Sequence, residues 1–219
     1  MSFLLYLFGF SCFFRDVSTL PLHEYAVSSH GDDFVIILSG DGGWHSKDAD
    51  MAHYFQQHQI PTVGWDSRSY FWQGKEKNTF RSDLEKVIDL YSKQWEKSRV
   101  ILIGFSFGAD VLPYTVNRLA TDYQDKIKHL VLISPGHYTQ FEITLTGLLN
   151  IDNQGIPTLP ELKAIHRIPV LLVCDSAQDS ICKTLDTPNY TSIILPGGHT
   201  FRGKLLEVAK AIGNYLHIN

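Results

Sequence analysis

Three residue types that together cleave acyl esters occur in this chain in the order serine, carboxylate, histidine. Ser106 lies at the centre of Gly104-Phe-Ser-Phe-Gly108, His199 follows two glycines near the C-terminus, and Asp179 lies between them. A serine becomes a nucleophile when a histidine accepts its proton, and a carboxylate then orients the imidazole and stabilises its charged form. The sequence therefore predicts acyl transfer to Ser106, with His199 as the base and Asp179 as the acid.

Asp175 is the alternative acid. It comes directly after the apolar run Pro169–Val173, whereas Asp179 lies far enough past that run to curl back toward the histidine. We prefer Asp179 for this reason, and the sequence leaves both carboxylates open.

Short apolar runs precede the candidate residues and must position them. The run that begins at Val100 breaks at Gly104 and resumes as a helical pattern after Gly108, which is the strand, sharp turn and helix of a nucleophile elbow. Similar runs alternate with helical patterns along the chain, and this alternation calls for a parallel sheet with helices on both faces. We therefore predict an α/β protein with the α/β-hydrolase fold, a mostly parallel central sheet and a small cap insertion.

A glycine-rich loop is the predicted second half of the oxyanion hole. Gly40, Asp41 and Gly42 follow the apolar run Phe34–Leu38, and glycines there let the backbone approach a substrate closely. In this fold one oxyanion donor comes from this loop and the other from the residue after the nucleophile. The backbone N–H groups of Asp41 and Phe107 are the predicted donors, with Gly40 and Gly42 beside the substrate.

Further candidate substrate contacts lie on segments that face the same end of the sheet. Asp66, Tyr70 and Trp72 follow a predicted strand, where loops of open α/β sheets border the ligand crevice. The two aromatic residues could instead pack over the sheet, and Asp66 could cap local backbone. Asp110 lies in the first turn of the helix after Ser106, where it could contact the substrate or simply favour the helix dipole. The aperiodic stretch at about 138–165 is a predicted cap or lid over the site.

Composition limits the partners and the location. The formal net charge of −4, without any cluster of Lys and Arg, argues against nucleic acid as a partner. No metal-ligand spacing is present, and we predict no cofactor or metal. Residues 1–18 are a possible signal peptide or N-terminal apolar segment, and residues 19–219 are the predicted hydrolase domain. Cys174 and Cys182 could form a disulfide in an exported protein or remain two unpaired thiols.

Several stretches together resemble the bacterial virulence protein family of VirJ and AcvB, from about Leu20 to the C-terminus. The chain departs from the family pattern after Val173, where the segment that carries the candidate acids is shorter. The matching stretches are Ser39-Gly-Asp-Gly-Gly-Trp44, Asp66-Ser-x-x-Tyr-Phe-Trp72, Gly104-Phe-Ser-Phe-Gly-Ala-Asp-Val-Leu-Pro113, Val116-Asn-Arg118 and Pro196-Gly-Gly-His199.

The resemblance implies more than the residues alone. It implies an α/β hydrolase in the bacterial periplasm, exported by an N-terminal signal, that cleaves the aminoacyl ester of lysyl-phosphatidylglycerol. It also implies a link to virulence and type IV secretion, with secretion-system proteins as expected partners. The apolar stretch between Tyr138 and Ile165 could contact the lipid or the membrane surface. A lysyl ester carries two amines, which suits the carboxylates Asp41, Asp66 and Asp110. The alternatives are a general carboxylesterase or thioesterase, a non-catalytic periplasmic secretion factor, and a membrane-associated location.

Overall fold

The computed structural model describes residues 17–72, 74–144, 155–176, 181–183 and 188–218. Strands and helices alternate along most of the chain, as the sequence predicts. The strands are β1 (Leu22–Tyr25), β2 (Asp33–Leu38), β3 (Thr62–Trp65), β4 (Arg99–Phe105), β5 (Ile127–Ile133), β6 (Tyr138–Thr139), β7 (Ile156–Pro157), β8 (Val170–Cys174) and β9 (Tyr190–Ile194). The helices are α1 (Ser46–Gln57), α2 (Ser67–Phe71), α3 (Lys77–Gln94), α4 (Phe107–Val116), α5 (Thr121–Lys126), α6 (Thr158–Lys163) and α7 (Leu205–Tyr215).

Seven strands form one sheet in the order β1-β3-β2-β4-β5-β8-β9. Strand β1 runs antiparallel to β3, and the other neighbouring strands are parallel. The central strands are apolar along almost their whole length because both faces of a parallel sheet are covered by helices. This sheet is that of an α/β-hydrolase fold, and the carboxyl ends of its parallel strands lie along one edge.

Two hydrophobic layers cover the sheet, one on each face. Successive side chains of a strand point to opposite faces, so in β4 Leu102 packs into one layer and Ile103 into the other. Leu84 of α3 and Leu112 of α4 lie in the layer of Leu102. The opposite layer contains Phe55 of α1 and residues of α7. Helix α1 packs against α7, and the start of α1 therefore lies next to the loop before α7.

The stretch predicted as a cap forms a small substructure beside α4. Strand β6 pairs with β7 in an antiparallel ribbon that leads into α6. Arg118 donates to both carboxylate oxygens of Glu161, at 2.8 and 2.9 Å, and this pair fixes α6 against the end of α4. Residues 145–154 of the predicted cap lie outside the described part of the chain, and its role as a lid stays a prediction.

Cys174 and Cys182 form a disulfide with their Cα atoms 6.3 Å apart. The bond joins the end of β8 to the short turn Ile181–Lys183 and so closes the segment that contains both candidate acids. The possible signal peptide lies outside the described residues except for its last two positions. Within the described ranges, no helix is both long and apolar enough to cross a bilayer.

Candidate active site

The turn between β4 and α4 carries Ser106 and requires the glycines on either side of it. Ser106 has φ 51° and ψ −117°, a strained conformation that a side-chain-bearing residue adopts only where its surroundings impose it. A Cβ on Gly104 would lie 2.5 Å from the backbone of Gly108, and a Cβ on Gly108 would lie 2.6 Å from the carbonyl oxygen of Leu38. The strand and helix can therefore approach each other this closely only with glycine at both positions.

Ser106 and His199 are in hydrogen-bonding contact. The Ser106 Oγ lies 2.8 Å from the His199 Nε2, although 93 residues separate them in sequence. Gly197 has φ 127°, and a Cβ there would lie 2.8 Å from the backbone of Phe201, so this tight turn also depends on glycine. The distance of 2.8 Å is that of a nucleophile and its general base.

Ser134, at the end of β5, holds the turn that carries His199, and the sequence did not predict this contact. Its Oγ donates to the backbone carbonyl of His199 at 3.0 Å. Ser134 follows β5 directly and has φ 49°. Its place at the carboxyl end of a central strand was the one available signal, because residues there border the site.

Only one of the two candidate acids lies within the described residues. Asp175 is half-buried and follows β8 directly, at the same edge of the sheet as Ser106 and His199. Asp179 lies outside the described residues. The choice between these two carboxylates for the acid of the triad stays a prediction.

Two backbone N–H groups are available where the oxyanion hole is predicted. A Cβ on Gly40 would lie 3.5 Å from the Cβ of Ser106, so the glycine-rich loop passes directly beside the predicted nucleophile. Phe107 begins α4, where the first amides of a helix lack an internal acceptor. Among the described contacts, the amides of Asp41 and Phe107 have no acceptor. Their role as oxyanion donors stays a prediction that this arrangement permits.

A cavity of about 710 Å³ surrounds the Ser106 and His199 pair. The lining includes the glycine-rich loop and the start of α1, and it also includes most of the segment from Gly136 to Thr144. Four carboxylate residues line the cavity within the described residues, against one lysine, Lys47. The four are Asp41, Asp48, Asp110 and Glu142.

Asp110 lies one helical turn from Ser106 and is held at the cavity wall by the backbone. The N–H of Gly136 donates to its Oδ1 at 2.6 Å. Burial, together with the nearby Asp41, raises the pKa of the Asp110 carboxyl to about 7, against the lowering effect of the Gly136 hydrogen bond. A group with a perturbed pKa beside a nucleophile is a candidate for contact with the substrate.

The raised pKa of Asp110 predicts a dependence of stability on pH. The pKa of this carboxyl is higher in the folded protein than its ordinary value of 3.8, so the folded protein binds the proton more tightly than the unfolded chain does. The free energy of unfolding should therefore fall as pH rises from about 4 to about 7, and this contribution should level off above that range. Asp110→Asn should reduce this fall, as measured by urea unfolding at about pH 5 and about pH 8. An equal fall in wild type and variant would contradict the assignment.

Three predicted substrate contacts are not among the residues that line this cavity. Tyr70 is 3% exposed and donates to Asp83 at 2.8 Å, so it belongs to the core and its prediction as a pocket wall is wrong. Trp72 is exposed and stacks against the Arg68 guanidinium outside the cavity lining. Asp66 begins α2 and accepts from the Ser69 backbone and hydroxyl, at 3.1 and 2.7 Å, so it caps that helix. For Tyr70 and Asp66 the structure shows the alternative role weighed from the sequence, whereas Trp72 is exposed and not packed over the sheet.

The sheet order and the strained serine between β4 and α4 define an α/β-hydrolase fold with a serine elbow. Within that fold, the model of one family, described as bacterial virulence protein (VirJ), matches residues 32–218. The chain belongs to the VirJ family. No curated protein sequence matches it.

Solved structures share the fold at low sequence identity. MenH from S. aureus has a TM-score of 0.66 and 15% identity, with 91% of this chain and 98% of that chain covered. Est1E from Butyrivibrio proteoclasticus has a TM-score of 0.60 and 14% identity, covering 90% and 91% of the two chains. The thioesterase domain from the curacin biosynthetic pathway has a TM-score of 0.61 and 13% identity, with 90% and 94% covered. At these identities the likeness establishes the fold alone.

Proposed function

We propose that this protein is a serine hydrolase that cleaves the aminoacyl ester of lysyl-phosphatidylglycerol. Membership of the VirJ family supports a bacterial setting for this activity. The observation that carries the proposal is the cavity around Ser106, where four carboxylates face a single lysine among the described lining residues. A cavity of that charge favours a cationic acyl group over a neutral fatty acyl chain.

The chemistry follows from the contact between the serine and the histidine. The Ser106 Oγ attacks the ester carbon while the His199 Nε2 accepts its proton, and the oxyanion is held by the amides of Asp41 and Phe107. The bond to the leaving alcohol then breaks, and the histidine returns the proton to the alcohol oxygen. Water, activated by the same histidine, releases the amino acid and restores the serine.

Asp110 is well placed to bind the α-ammonium of an aminoacyl ester. Its backbone N–H donates to the Ser106 carbonyl at 3.0 Å, so its side chain lies one turn from the nucleophile. The α-nitrogen of an aminoacyl ester is bonded to the carbon next to the reacting carbonyl. An ammonium bound next to Asp110 would favour the ionised form of the Asp110 carboxyl and offset the cost of its burial.

The test uses lysyl-phosphatidylglycerol vesicles and a matched set of esters. The purified protein should release free lysine and leave the fatty acyl esters of the same lipid intact. It should also hydrolyse lysine methyl ester faster than its Nα-acetylated form, which lacks the α-ammonium. Equal rates on these esters and on nitrophenyl acetate would instead identify a general carboxylesterase. Absence of turnover and of labelling by a fluorophosphonate would identify a non-catalytic factor.

We place the protein in the periplasm as part of this proposal. The disulfide between Cys174 and Cys182 supports it, because such bonds persist in oxidising compartments and are rare in the cytosol. Export by an N-terminal signal, contact with the membrane surface and an association with type IV secretion proteins stay predictions.

A further inference from the structure

Lys47 is the one lysine or arginine among the described residues that line the cavity. Its Nζ has no hydrogen-bond or ion-pair partner in the described part of the chain, although four carboxylates line the same cavity. The charge of this ammonium is therefore not cancelled by a neighbouring side chain. A substrate group of negative charge could pair with it without displacing an existing contact.

The position of Lys47 relative to His199 decides which part of a substrate it can reach. Lys47 lies on the first turn of α1 and packs against Gly203, where a Cβ would overlap its Nζ. Gly203 belongs to the tight turn that begins at the catalytic histidine, since its N–H donates to Thr200 at 2.8 Å. The ammonium thus lies on the histidine side of the cavity.

The chemistry of ester cleavage places the leaving alcohol on that same side. His199 must return its proton to the oxygen that leaves, so the leaving group has to lie beside the imidazole. The acyl group then extends away from the imidazole, toward Asp110 and the segment that carries Glu142, which Asp110 contacts at Gly136. The Lys47 ammonium thus lies on the leaving-group side of the cavity, together with Asp41 and Asp48, and Asp110 and Glu142 lie on the acyl side.

We propose that Lys47 binds a phosphate group on the leaving alcohol. The cavity then accepts a zwitterionic ester, with its ammonium toward Asp110 and its phosphate toward Lys47. This proposal rests on the proposed function in assigning the acyl side, and it adds a site for the leaving group. In an aminoacyl ester of phosphatidylglycerol, a three-carbon glycerol separates the ester oxygen from the phosphodiester, so both groups can lie in one cavity.

Direct binding tests the site without turnover. The ligand is glycerophosphoglycerol, which is the leaving alcohol without its fatty acids, and the protein is the Ser106→Ala variant, studied by calorimetry. Adding Lys47→Gln should weaken binding about tenfold, as expected for loss of one charge-assisted hydrogen bond. Lys47→Arg should retain most of the affinity. The matched control is Lys204→Gln, which removes the same charge one residue after Gly203 but outside the cavity lining. It should leave the affinity for glycerophosphoglycerol unchanged.

Kinetics give a second readout with the catalytic serine present. Lys47→Gln should raise the KM for lysyl-phosphatidylglycerol about tenfold and leave the KM for lysine methyl ester, which has no phosphate, unchanged. Equal effects of Lys47→Gln and Lys204→Gln would overturn the proposal. Inorganic phosphate that binds at Lys47 as tightly as glycerophosphoglycerol would also overturn it, by showing a free anion site.

The two arms separate this proposal from the proposed function. Binding of glycerophosphoglycerol requires neither an aminoacyl group nor turnover. If lysyl-phosphatidylglycerol is not hydrolysed and binding still depends on Lys47, the phosphate site stands and the aminoacyl substrate is wrong. If lysine is released and the Lys47 variant behaves as wild type in both the binding and the kinetic experiment, the aminoacyl substrate stands and the phosphate site is wrong.

Discussion

Replacing Ser106 with alanine is expected to lower kcat for ester hydrolysis by at least about 10⁴-fold. The Ser106 Oγ is the atom in contact with the His199 Nε2, so the variant loses the group that bonds to the acyl carbon. Initial rates on lysine methyl ester and on lysyl-phosphatidylglycerol measure the effect. A fluorophosphonate should label the wild-type protein at this serine and leave the variant unlabelled.

The control for this prediction is a serine of the same neighbourhood without a predicted role. Ser46 is exposed at the start of α1, and Ser46→Ala should retain full activity and labelling. His199→Ala should lose nearly as much activity as Ser106→Ala, because residues that act as a unit are far from additive. Ester hydrolysis that persists in Ser106→Ala, with circular dichroism showing the wild-type fold, would disprove the assigned nucleophile.

Replacing Gly104 with alanine is expected to lower the free energy of unfolding by about 3 kcal/mol. The added Cβ would lie 2.5 Å from the carbonyl carbon and oxygen of Gly108, which are backbone atoms of α4 and cannot rotate away. For a chain of this size the loss corresponds to a fall in Tm of roughly 6–12 °C. Because the helix must shift to make room, ester hydrolysis should fall together with stability.

Gly31→Ala provides the matched control for this substitution. Gly31 lies in the loop before β2, and a Cβ there would have nothing within 4 Å. The control variant should unfold at the wild-type temperature in calorimetry or circular dichroism. A Gly104→Ala protein that matches the Gly31→Ala protein in Tm and activity would show that the strand and the helix are not packed as closely as the structure indicates.

The parts of the fold and site that were predictable from the sequence are those that local sterics impose. A serine between two glycines, after an apolar strand and before a helix, has few structural alternatives, so the elbow and the parallel sheet followed from the pattern. The glycines before His199 likewise marked a tight turn. The 2.8 Å contact between Ser106 Oγ and His199 Nε2 agrees with the expectation that this turn brings the histidine to the serine.

What could not be predicted depends on contacts between distant parts of the chain. The sequence around Tyr70 does not show that its hydroxyl reaches Asp83 in the next helix, and this contact draws the residue into the core. The raised pKa of Asp110 results from burial and from the approach of Asp41, and Gly136 comes to it from another strand end. Such contacts form only when the sheet brings its carboxyl ends together.

The packing of Trp44, at the end of the glycine-rich loop, should restrict which residues can change together in evolution. Trp44 lies flat on β3, where a Cβ on Gly64 would overlap its six-membered ring, and its Nε1 donates to the hydroxyl of Tyr25 at 3.2 Å. His23 stacks on the same ring, with 5.3 Å between centroids. Substitutions at these positions should therefore be coupled during divergence: relatives that keep tryptophan at position 44 should keep glycine at 64. A larger residue at 64 should appear only where the ring at 44 has already been lost.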